Sequence, residues 1–355
     1  MTEPRRVVHV VTTAGFAGVE RYICDVAKVS AAQGWDVTVV GGERGRMATG
    51  LAGAAHWEAG ATLGESLRAL RRLGRFDVCN AHMTAAEAVA VLGRPLHRAP
   101  IVATRHFAAR RGASVAGRLG APLITAGVAR EIAVGEFIAR SLERPPDAVI
   151  VSGVKPSPHL WRADSRALLM VQRLEAEKDT LTGLQAWQLS GLGDDGWHLS
   201  VFGEGSQRAQ LERWVAEHDV ACVSFKGWTN DVPRALAGAG MVLATATAEP
   251  LGLSVLDAMA AGIPVVASAA GGHLETIGLV EGAPLFAPGD PNAAAQALRG
   301  LLDDGERARL AERERSLACE RFTIDRHVER LLTEYETLLP SPARRSSRAL
   351  AGRPT

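Results

Sequence analysis

Short apolar runs rich in β-branched residues alternate with helix-length segments, and this rhythm occurs twice along the chain. Predicted strands of the first set are RVVHVVT (6–12), DVTVVG (36–41), DVCNAH (77–82), PIVATRH (100–106), LITAGV (123–128) and DAVIVSG (147–153). Those of the second set are ALLMVQ (167–172), WHLSVFG (197–203), ACVSFKG (221–227), GMVLATA (240–246) and GIPVVAS (262–268). Strands that alternate with helices predict parallel α/β sheets, and two sets predict two such domains.

The length of 355 residues also exceeds what one hydrophobic core ordinarily supports. We expect a Rossmann-like domain over residues 1–155 and a second over 156–320. They are joined near the Pro- and Ser-containing stretch VSGVKPSPHLWRADS. A closing helix is expected over 321–339. The Pro-, Ser- and Arg-rich stretch 340–355 is expected to be a disordered tail.

Charge and cysteine content exclude several classes of protein. The net charge of +1 gives no electrostatic reason for a nucleic-acid partner. The 4 cysteines lack metal-site spacing and fit a reducing compartment. The N-terminus enters a strand without the apolar segment of a signal peptide, and no apolar run reaches the ~18 residues of a membrane span. These features predict a cytoplasmic protein.

Two cations follow the first strand of the second set. Arg173 comes directly after ALLMVQ, and Lys178 lies five residues further on. The carboxyl ends of parallel strands face the ligand crevice, where a guanidinium and an ammonium suit a diphosphate. The alternative is a pair of solvated charges, because the same loop holds Glu175, Glu177 and Asp179.

The stretch AEPLGLSVLDAMAAGIPVVAS (248–268) places carboxylates around a predicted helix start. Glu249 follows a strand, and the amides near Leu251 and Gly252 are positioned to hold phosphate or sugar oxygens. Asp257 lies about one and a half turns into the helix. Two carboxylates that accept hydrogen bonds from vicinal hydroxyls fit the hexose and ribose of a nucleotide sugar. The alternative is a helix-terminal acid and a solvated acid.

The first strand is followed by a glycine loop and a helix, VVTTAGFAGVERYICDVA. Gly15 and Gly18 have GxxG spacing, so the GxGxxG dinucleotide fingerprint is absent. The loop either lets a ligand approach the backbone or is a plain strand-to-helix turn.

Histidine and arginine residues follow strands of the first set. His82 and His106 are expected at the sheet edge, either as ligand contacts or as structural histidines. The segment HFAARRGASVAGRLG (106–120) is basic. It fits an acidic acceptor, weakly an anionic membrane, or a solvated helix face. Its cluster of arginines consists of Arg105, Arg110, Arg111 and Arg118.

As a set, these segments resemble the retaining glycosyltransferase family 4, which has the GT-B fold of two Rossmann-like domains facing across a cleft. The match runs in order over roughly residues 6 to 339. It comprises the stretch from Glu249 to Ser268, QRLEAEK, FGEGSQRAQLE and AGVERYICDVA. Two positions depart from the family pattern: Asp257 replaces a glutamate, and Ala17 replaces a glycine, which is expected to stiffen the loop or change its backbone angles.

The resemblance implies roles for the matching residues. Arg173 and Lys178 would bind the donor diphosphate, Glu249 the transferred sugar and Asp257 the ribose, while His106 would lie near the reacting centre. The other implied donor-binding positions are Gly15, Ala17, Gly18, Gly203, Gly205, Leu251, Gly252, Leu253 and Ser254.

The sequence therefore predicts a retaining hexosyltransferase that uses a UDP- or GDP-linked sugar and needs neither metal nor cofactor. Its acceptor is expected to be a small molecule, a glycan or a lipid-linked glycan. Two alternatives remain at this point: a non-transferase enzyme of the same fold, such as a 2-epimerase, and a nucleotide-sugar binding protein that has lost catalysis.

Overall fold

The computed structural model describes residues 3–112, 115–157, 161–229 and 231–340. Residues 158–160 of the expected join and 341–355 of the expected tail lie outside these ranges. The chain forms two compact units. The first comprises Met1–Ala133, Leu142–Ile150 and Val328–Thr355, and the second comprises Val134–Ser141 and Val151–His327.

The described chain contains thirteen strands and thirteen α-helices, which alternate over most of its length. The strands are β1 (Arg6–Val11), β2 (Asp36–Gly41), β3 (His56–Glu58), β4 (Val78–His82), β5 (Ile101–Arg105), β6 (Arg130–Ala133), β7 (Ala148–Val149), β8 (Ala167–Val171), β9 (His198–Phe202), β10 (Val223–Gly227), β11 (Met241–Ala244), β12 (Val265–Ser268) and β13 (Leu285–Phe286). The helices are α1 (Gly18–Ala32), α2 (Arg44–Leu51), α3 (Leu63–Leu73), α4 (Met83–His97), α5 (Val115–Gly127), α6 (Glu136–Ser141), α7 (Thr180–Ser190), α8 (Arg208–Glu217), α9 (Val232–Leu236), α10 (Leu253–Ala260), α11 (Pro291–Arg299), α12 (Asp304–Arg321) and α13 (Ile324–Thr337). Across the described residues, no helix combines the length and apolarity needed to span a membrane.

Each unit contains one parallel sheet. The first has seven strands in the order β3-β2-β1-β4-β5-β6-β7, and the second has six in the order β10-β9-β8-β11-β12-β13. Val7, Val8, Val10 and Val11 of β1 are all buried, as expected of a strand that helices cover on both faces. The prediction of two Rossmann-like parallel-sheet units is confirmed.

Aspartates begin several helices of the second unit. Asp179 accepts the N–H of Thr182 at the start of α7. Asp303 likewise accepts the N–H of Glu306 at 2.8 Å at the start of α12. Each carboxylate satisfies a first-turn amide that has no intrahelical acceptor, which is why the helices start where they do.

The predicted strand LITAGV (123–128) is wrong. Residues 115–127 form α5, and the Leu123 side chain is 67% exposed. A short apolar run does not distinguish a strand from a helix by its periodicity. The strand in this region is β6, whose sequence REIA was missed because Arg130 and Glu131 make it look polar.

Arg105 and Arg111 are not exposed to solvent. The interpretation of the basic segment as a solvated helix face is therefore wrong for these two arginines. Both are buried, and each donates to Glu131 Oε1 at 2.7 Å. Arg111 Nε also donates to Glu87 Oε2 at 2.5 Å, and Arg105 donates to the carbonyl of Ala109 at 2.6 Å. Buried charges require such pairing. These two arginines therefore stabilise the loop after β5, and their buried side chains are not available to bind an acceptor or a membrane.

Glu314 of α12 is a buried carboxyl group packed beneath β12. Its Oε1 and Oε2 lie 3.3 and 3.2 Å from the amide nitrogen of Val265. Burial raises the pKa of Glu314 well above its ordinary value of 4.5. The folded protein therefore holds this proton to a higher pH than the unfolded chain does. Stability from this group is full below pH 4.5 and is lost as the pH rises through the folded pKa.

We expect Glu314→Gln to stabilise the protein increasingly as the pH rises above 4.5, by about 1–3 kcal/mol at pH 8. The reason is that glutamine keeps an acceptor for Val265 and has no charged form to bury. Urea unfolding at pH 5 and pH 8 measures the difference, with the exposed Glu312→Gln on the same helix as the control. A gain that is equal at both pH values, or a loss that grows with pH, contradicts this account.

Candidate functional site

Lys178 and Glu249 form a largely buried ion pair at the carboxyl edge of the second sheet. Lys178 Nζ donates to Glu249 Oε2 at 2.6 Å, and the two side chains are 14% and 13% exposed. Lys178 lies in the connection after β8 and Glu249 in the connection after β11, and these strands are neighbours in the sheet. The two strands are neighbours in the sheet but not in the sequence, because the strand order reverses between β8 and β11. Open α/β sheets bind their ligands at such a switch point.

Backbone contacts fix the position of Lys178. Its carbonyl accepts from Thr245 Oγ1 at 2.8 Å and from Gln172 Nε2 at 3.1 Å. The amide of Thr247 donates to the carbonyl of Glu177 at 2.9 Å. The short 3₁₀ helix Ala176–Lys178 is therefore bound to the end of β11. This explains how two residues far apart in sequence meet.

Glu249 is held at both of its oxygens. In addition to the Lys178 contact, its Oε1 accepts the N–H of Gly252 at 3.1 Å. Burial raises the pKa of Glu249, but the Lys178 ammonium, His273 and the Leu251 amide together lower it below 4.5. The carboxyl group is therefore charged at neutral pH and is held in one orientation.

The segment after β12 packs against the Glu249 loop through two glycines. The amide of Gly272 donates to the carbonyl of Glu249 at 2.7 Å. A Cβ on Gly272 would lie 2.3 Å from Leu251 Cα, and one on Gly271 would lie 2.2 Å from the Glu249 carbonyl oxygen. Only glycine allows this approach, so the pair shapes the backbone around Glu249.

His273 is a site residue that the sequence analysis missed. Its buried ring lies 3.0 Å from the Ser268 carbonyl through Nδ1, and its Cδ2 lies 3.1 Å from where a Cβ on Gly252 would stand. Burial lowers the pKa of His273, although the Glu249 carboxylate opposes this. The available signal was a histidine directly after the two glycines that follow a strand.

Arg173 is bonded to Glu177 rather than to the Lys178–Glu249 pair. Its Nη2 donates to Glu177 Oε1 at 2.5 Å, and the side chains are 55% and 41% exposed. An exposed pair of this kind contributes little free energy. A phosphate ligand can therefore replace Glu177 as the partner of the Arg173 guanidinium at little cost in free energy.

Gly203 and Gly205 bring the loop after β9 against the backbone that carries Arg173. Gly203 has a φ of +140°, and a Cβ there would lie 1.8 Å from the Gln172 carbonyl oxygen. A Cβ on Gly205 would lie 2.3 Å from the Leu174 carbonyl oxygen. These two glycines therefore fix the backbone that carries Arg173, the residue predicted to bind phosphate.

The predicted helix after Glu249 is α10, which starts at Leu253 with Gly252 as its N-cap at a φ of 90°. Its first-turn N–H groups, including those of Leu253 and Ser254, have no intrahelical acceptor. Leu251 is buried. Asp257 lies on α10 and is only 5% exposed, which rules out the solvated acid of the alternative interpretation.

In the first unit, the loop after β1 adopts an unstrained path. Gly15 donates to Thr13 Oγ1 at 3.0 Å, and Ala17 donates to Glu20 Oε2 at 2.7 Å. Ala17 has φ −141° and ψ −153°, an extended conformation open to any residue. A Cβ on Gly18 would meet nothing within 4 Å. The replacement of glycine by Ala17 therefore does not alter the backbone angles that this loop needs.

His106 and His82 lie together at the carboxyl edge of the first sheet. His106 Nε2 is 2.9 Å from His82 Nδ1, and His82 Nε2 is 3.0 Å from Nδ1 of His9, which the sequence analysis did not single out. Tyr22 packs edge-on against His106 with a centroid distance of 4.8 Å. Within the described ranges, no group of three or more His, Cys, Asp or Glu side chains is arranged to hold a metal ion.

Solved structures share this fold. A glycosyltransferase from Rickettsia africae superposes with a TM-score of 0.79 over 96% of this chain and 100% of that chain, at 16% identity. Anabaena HepE in complex with UDP and glucose has a TM-score of 0.78 over 94% of this chain and 100% of that chain, at 18% identity.

Among curated relatives, 2-deoxystreptamine glucosyltransferase of Streptomyces kanamyceticus is 33% identical over 175 residues, 48% of this chain and 45% of the relative. N-acetyl-alpha-D-glucosaminyl L-malate synthase of Bacillus anthracis is 32% identical over 142 residues, 39% of this chain and 36% of the relative. The chain thus spans less than half the length of these relatives.

Two family models match adjacent parts of the chain. The Glycosyltransferase Family 4 model matches residues 16–156, and the model described as Glycosyl transferases group 1 matches residues 154–317. The second model includes Arg173, Lys178, Glu249 and Asp257. With the two models end to end and the fold shared over nearly the whole chain, the protein belongs to the family-4-like glycosyltransferases of the GT-B fold.

Proposed function

We propose that the protein transfers a hexosyl group from a nucleotide diphosphate sugar to an acceptor hydroxyl, with retention at the anomeric carbon and without a metal ion. The observation that carries this proposal is the buried Lys178–Glu249 pair at the switch point of the second sheet. A charged carboxylate held beside an ammonium suits a ligand that has both hydroxyls and phosphates.

Under this proposal, Arg173 and Lys178 bind the donor diphosphate. Arg173 exchanges its exposed Glu177 partner for a phosphate oxygen, and Lys178 adds a fixed positive charge. These cations stabilise the charge that develops on the leaving diphosphate, which is the role that a metal ion has in other enzymes. Glu249 accepts hydrogen bonds from the transferred sugar, and Asp257 accepts them from the ribose.

The amides around the start of α10 complete the proposed donor site. Leu251, Gly252, Leu253 and Ser254 surround the helix start, where backbone N–H groups favour negatively charged oxygens. Gly203 and Gly205 pack against the backbone on either side of Arg173 and fix its path. In the first unit, His106 is proposed to contact the donor or the acceptor, as is the loop from Gly15 through Ala17 to Gly18.

Retention is proposed to proceed by front-face attack. Glu249 has both oxygens engaged, one by Lys178 and one by the Gly252 amide, so it is poorly placed to act as a nucleophile. The acceptor oxygen forms the new bond to the anomeric carbon as the bond to the diphosphate oxygen breaks. The acceptor proton passes to the leaving phosphate oxygen, so no enzyme base is needed.

The donor is proposed to be UDP- or GDP-linked, and UDP-glucose is the first candidate because HepE has been solved with UDP-glucose. Two relatives have names that describe sugar transfer to 2-deoxystreptamine, one of glucose and one of N-acetylglucosamine. A polyhydroxylated small molecule such as 2-deoxystreptamine is therefore the first acceptor to test, ahead of a glycan or a lipid-linked glycan.

Incubation of the full chain with UDP- and GDP-sugars and candidate acceptors, with EDTA present, tests the proposal. We expect nucleoside diphosphate release with EDTA present, and proton NMR of the product should show the anomeric configuration of the donor. An inverted product contradicts retention, and activity only after added divalent metal contradicts metal independence. Donor binding without any turnover supports the alternative of a non-catalytic nucleotide-sugar binding protein.

A further inference from the structure

Three buried histidines form a continuous hydrogen-bonded chain across three neighbouring strands of the first sheet. His9 lies within β1, His82 ends β4 and His106 follows β5. The two nitrogen–nitrogen distances are 3.0 and 2.9 Å, so each contact shares one proton between two rings. His9 and His82 are fully buried, and His106 is 9% exposed.

The inner end of this chain restricts where the protons lie. Nε2 of His9 is buried and has no hydrogen-bond partner among the described residues. A neutral chain has two possible directions. If His106 donates inward, His9 must place an N–H on that unpartnered nitrogen. If His9 donates outward, the unpartnered nitrogen carries only a lone pair. Orphaned buried N–H groups are rarer than orphaned acceptors, so the outward direction is favoured.

We propose that His9 and His82 are positioning residues that hold His106 as the tautomer with its proton on Nδ1, making it a neutral hydrogen-bond donor to an oxygen of the bound substrate. His9 Nδ1–H donates to His82 Nε2, and His82 Nδ1–H donates to His106 Nε2. The lone pair of His106 Nε2 is therefore occupied, and Nδ1 carries the remaining proton. The substrate contact of His106 rests on the proposed glycosyl transfer, whereas the tautomer does not.

The surroundings keep the two inner histidines, His9 and His82, uncharged. Burial lowers the pKa of His9 to about 4, and burial together with the two neighbouring imidazoles lowers that of His82 well below 6.5. Burial also raises the pKa of Tyr22 on α1 and of Tyr335 on α13, so both phenols are neutral at pH 7.

Two further ionisable groups lie on the strands that carry these histidines. Burial raises the pKa of the Cys79 thiol on β4 to about 12, so it too is neutral. Arg105, which precedes His106, donates to Glu131 at 2.7 Å. Its charge is therefore already neutralised by a carboxylate.

The chain makes a specific prediction for two variants of His82. Glutamine has one amide donor and one amide acceptor, so His82→Gln retains both links without a titratable proton. Leucine retains neither link. In His82→Leu, the His106 tautomer is no longer fixed, and Nδ1 loses its proton in part of the molecules.

We therefore expect kcat/KM of His82→Leu to be about three- to tenfold below wild type at pH 8. His82→Gln is expected to stay close to wild type at the same pH, because it retains both links. Equal losses in His82→Leu and His82→Gln would overturn the inference.

Nitrogen-15 NMR of the histidine-labelled full chain tests the tautomer without substrate and without turnover. Resonances are assigned from spectra of His9→Gln, His82→Gln and His106→Gln. We expect His106 to show a protonated Nδ1 and an unprotonated Nε2 at pH 8. A proton on Nε2 at this pH overturns the proposal. Absence of transfer activity in the wild type refutes the proposed function and leaves this readout intact.

Discussion

Replacing Lys178 by methionine is expected to lower kcat/KM by about 10²–10³-fold, because it removes a fixed charge that stabilises the leaving diphosphate. The same change leaves the buried Glu249 carboxylate without its ammonium partner at 2.6 Å. Loss of one member of a buried ion pair typically costs about 3–5 kcal/mol, so the unfolding free energy should fall as well. Steady-state kinetics and urea unfolding measure the two effects separately.

A second variant separates catalysis from stability. In the double variant Lys178→Met/Glu249→Gln, no buried charge is left unpaired, so stability should return while turnover stays low. The control is Lys226→Met, which changes an exposed lysine on β10 of the same unit and should alter neither quantity. Near-normal turnover of Lys178→Met, or restored turnover in the double variant, contradicts the role assigned to Lys178.

Gly203→Ala is expected to displace the backbone around Gln172 and Arg173, and so to disrupt the proposed phosphate site. A Cβ at this position would lie 1.8 Å from the Gln172 carbonyl oxygen, and the φ of +140° disfavours any side chain. Strain of about 1–3 kcal/mol and overpacking of about 1–3 kcal/mol add to a loss of about 2–6 kcal/mol. The thermal midpoint should fall by about 4 °C or more, and nucleoside diphosphate binding should weaken about tenfold as Arg173 moves.

Gly238→Ala is the matched control for this change. Gly238 lies in the same unit, and a Cβ there would meet nothing within 4 Å. Its thermal midpoint and its nucleotide affinity should stay close to those of the wild type. Equal effects of the two alanine substitutions would show that the close approach of Gly203 to Gln172 does not shape the site.

The fold was predictable where strands are long, apolar and bounded by turns. The predicted strands that contain β1, β2, β8 and β9 all lie in the observed sheets. Three strands were missed: β3, β6 and β13, of which two have two or three residues. Such strands hold too few residues to show a period, and they form because the edge of a sheet offers hydrogen-bond partners. That information is tertiary and is not present in the local sequence.

The sequence predicted which strand ends carry the candidate site residues, but it did not predict which side chains contact each other. The rule that carboxyl ends of parallel strands share one edge placed Lys178 and Glu249 near each other. It did not reveal that they bond directly or that Arg173 pairs with Glu177. Side-chain pairing depends on loop paths, which here follow from close backbone contacts at Gly203, Gly205 and Gly272.

Burial of charged and polar residues was the least predictable property. Arg105 and Arg111 look like part of a basic surface in the sequence, yet they are buried against the carboxylates of Glu131 on β6, Glu87 on α4 and Glu143 in the connection after α6. His9 lies inside a valine-rich strand and gives no local signal of its partners. In both cases the partners come from distant parts of the chain, so only the packed fold shows why the groups are tolerated.

Thermal stabilisation of the full chain by UDP, GDP, ADP and TDP, in the wild type and in Arg173→Ala, tests whether the second unit binds a donor diphosphate. A nucleotide present at 100 times its dissociation constant should stabilise the wild type by about 2.7 kcal/mol. We expect a clear shift of the thermal midpoint with one of the four nucleotides, UDP or GDP, and loss of that shift in Arg173→Ala. Absence of a shift with all four, or an equal shift in the variant, would contradict a donor diphosphate site built on Arg173.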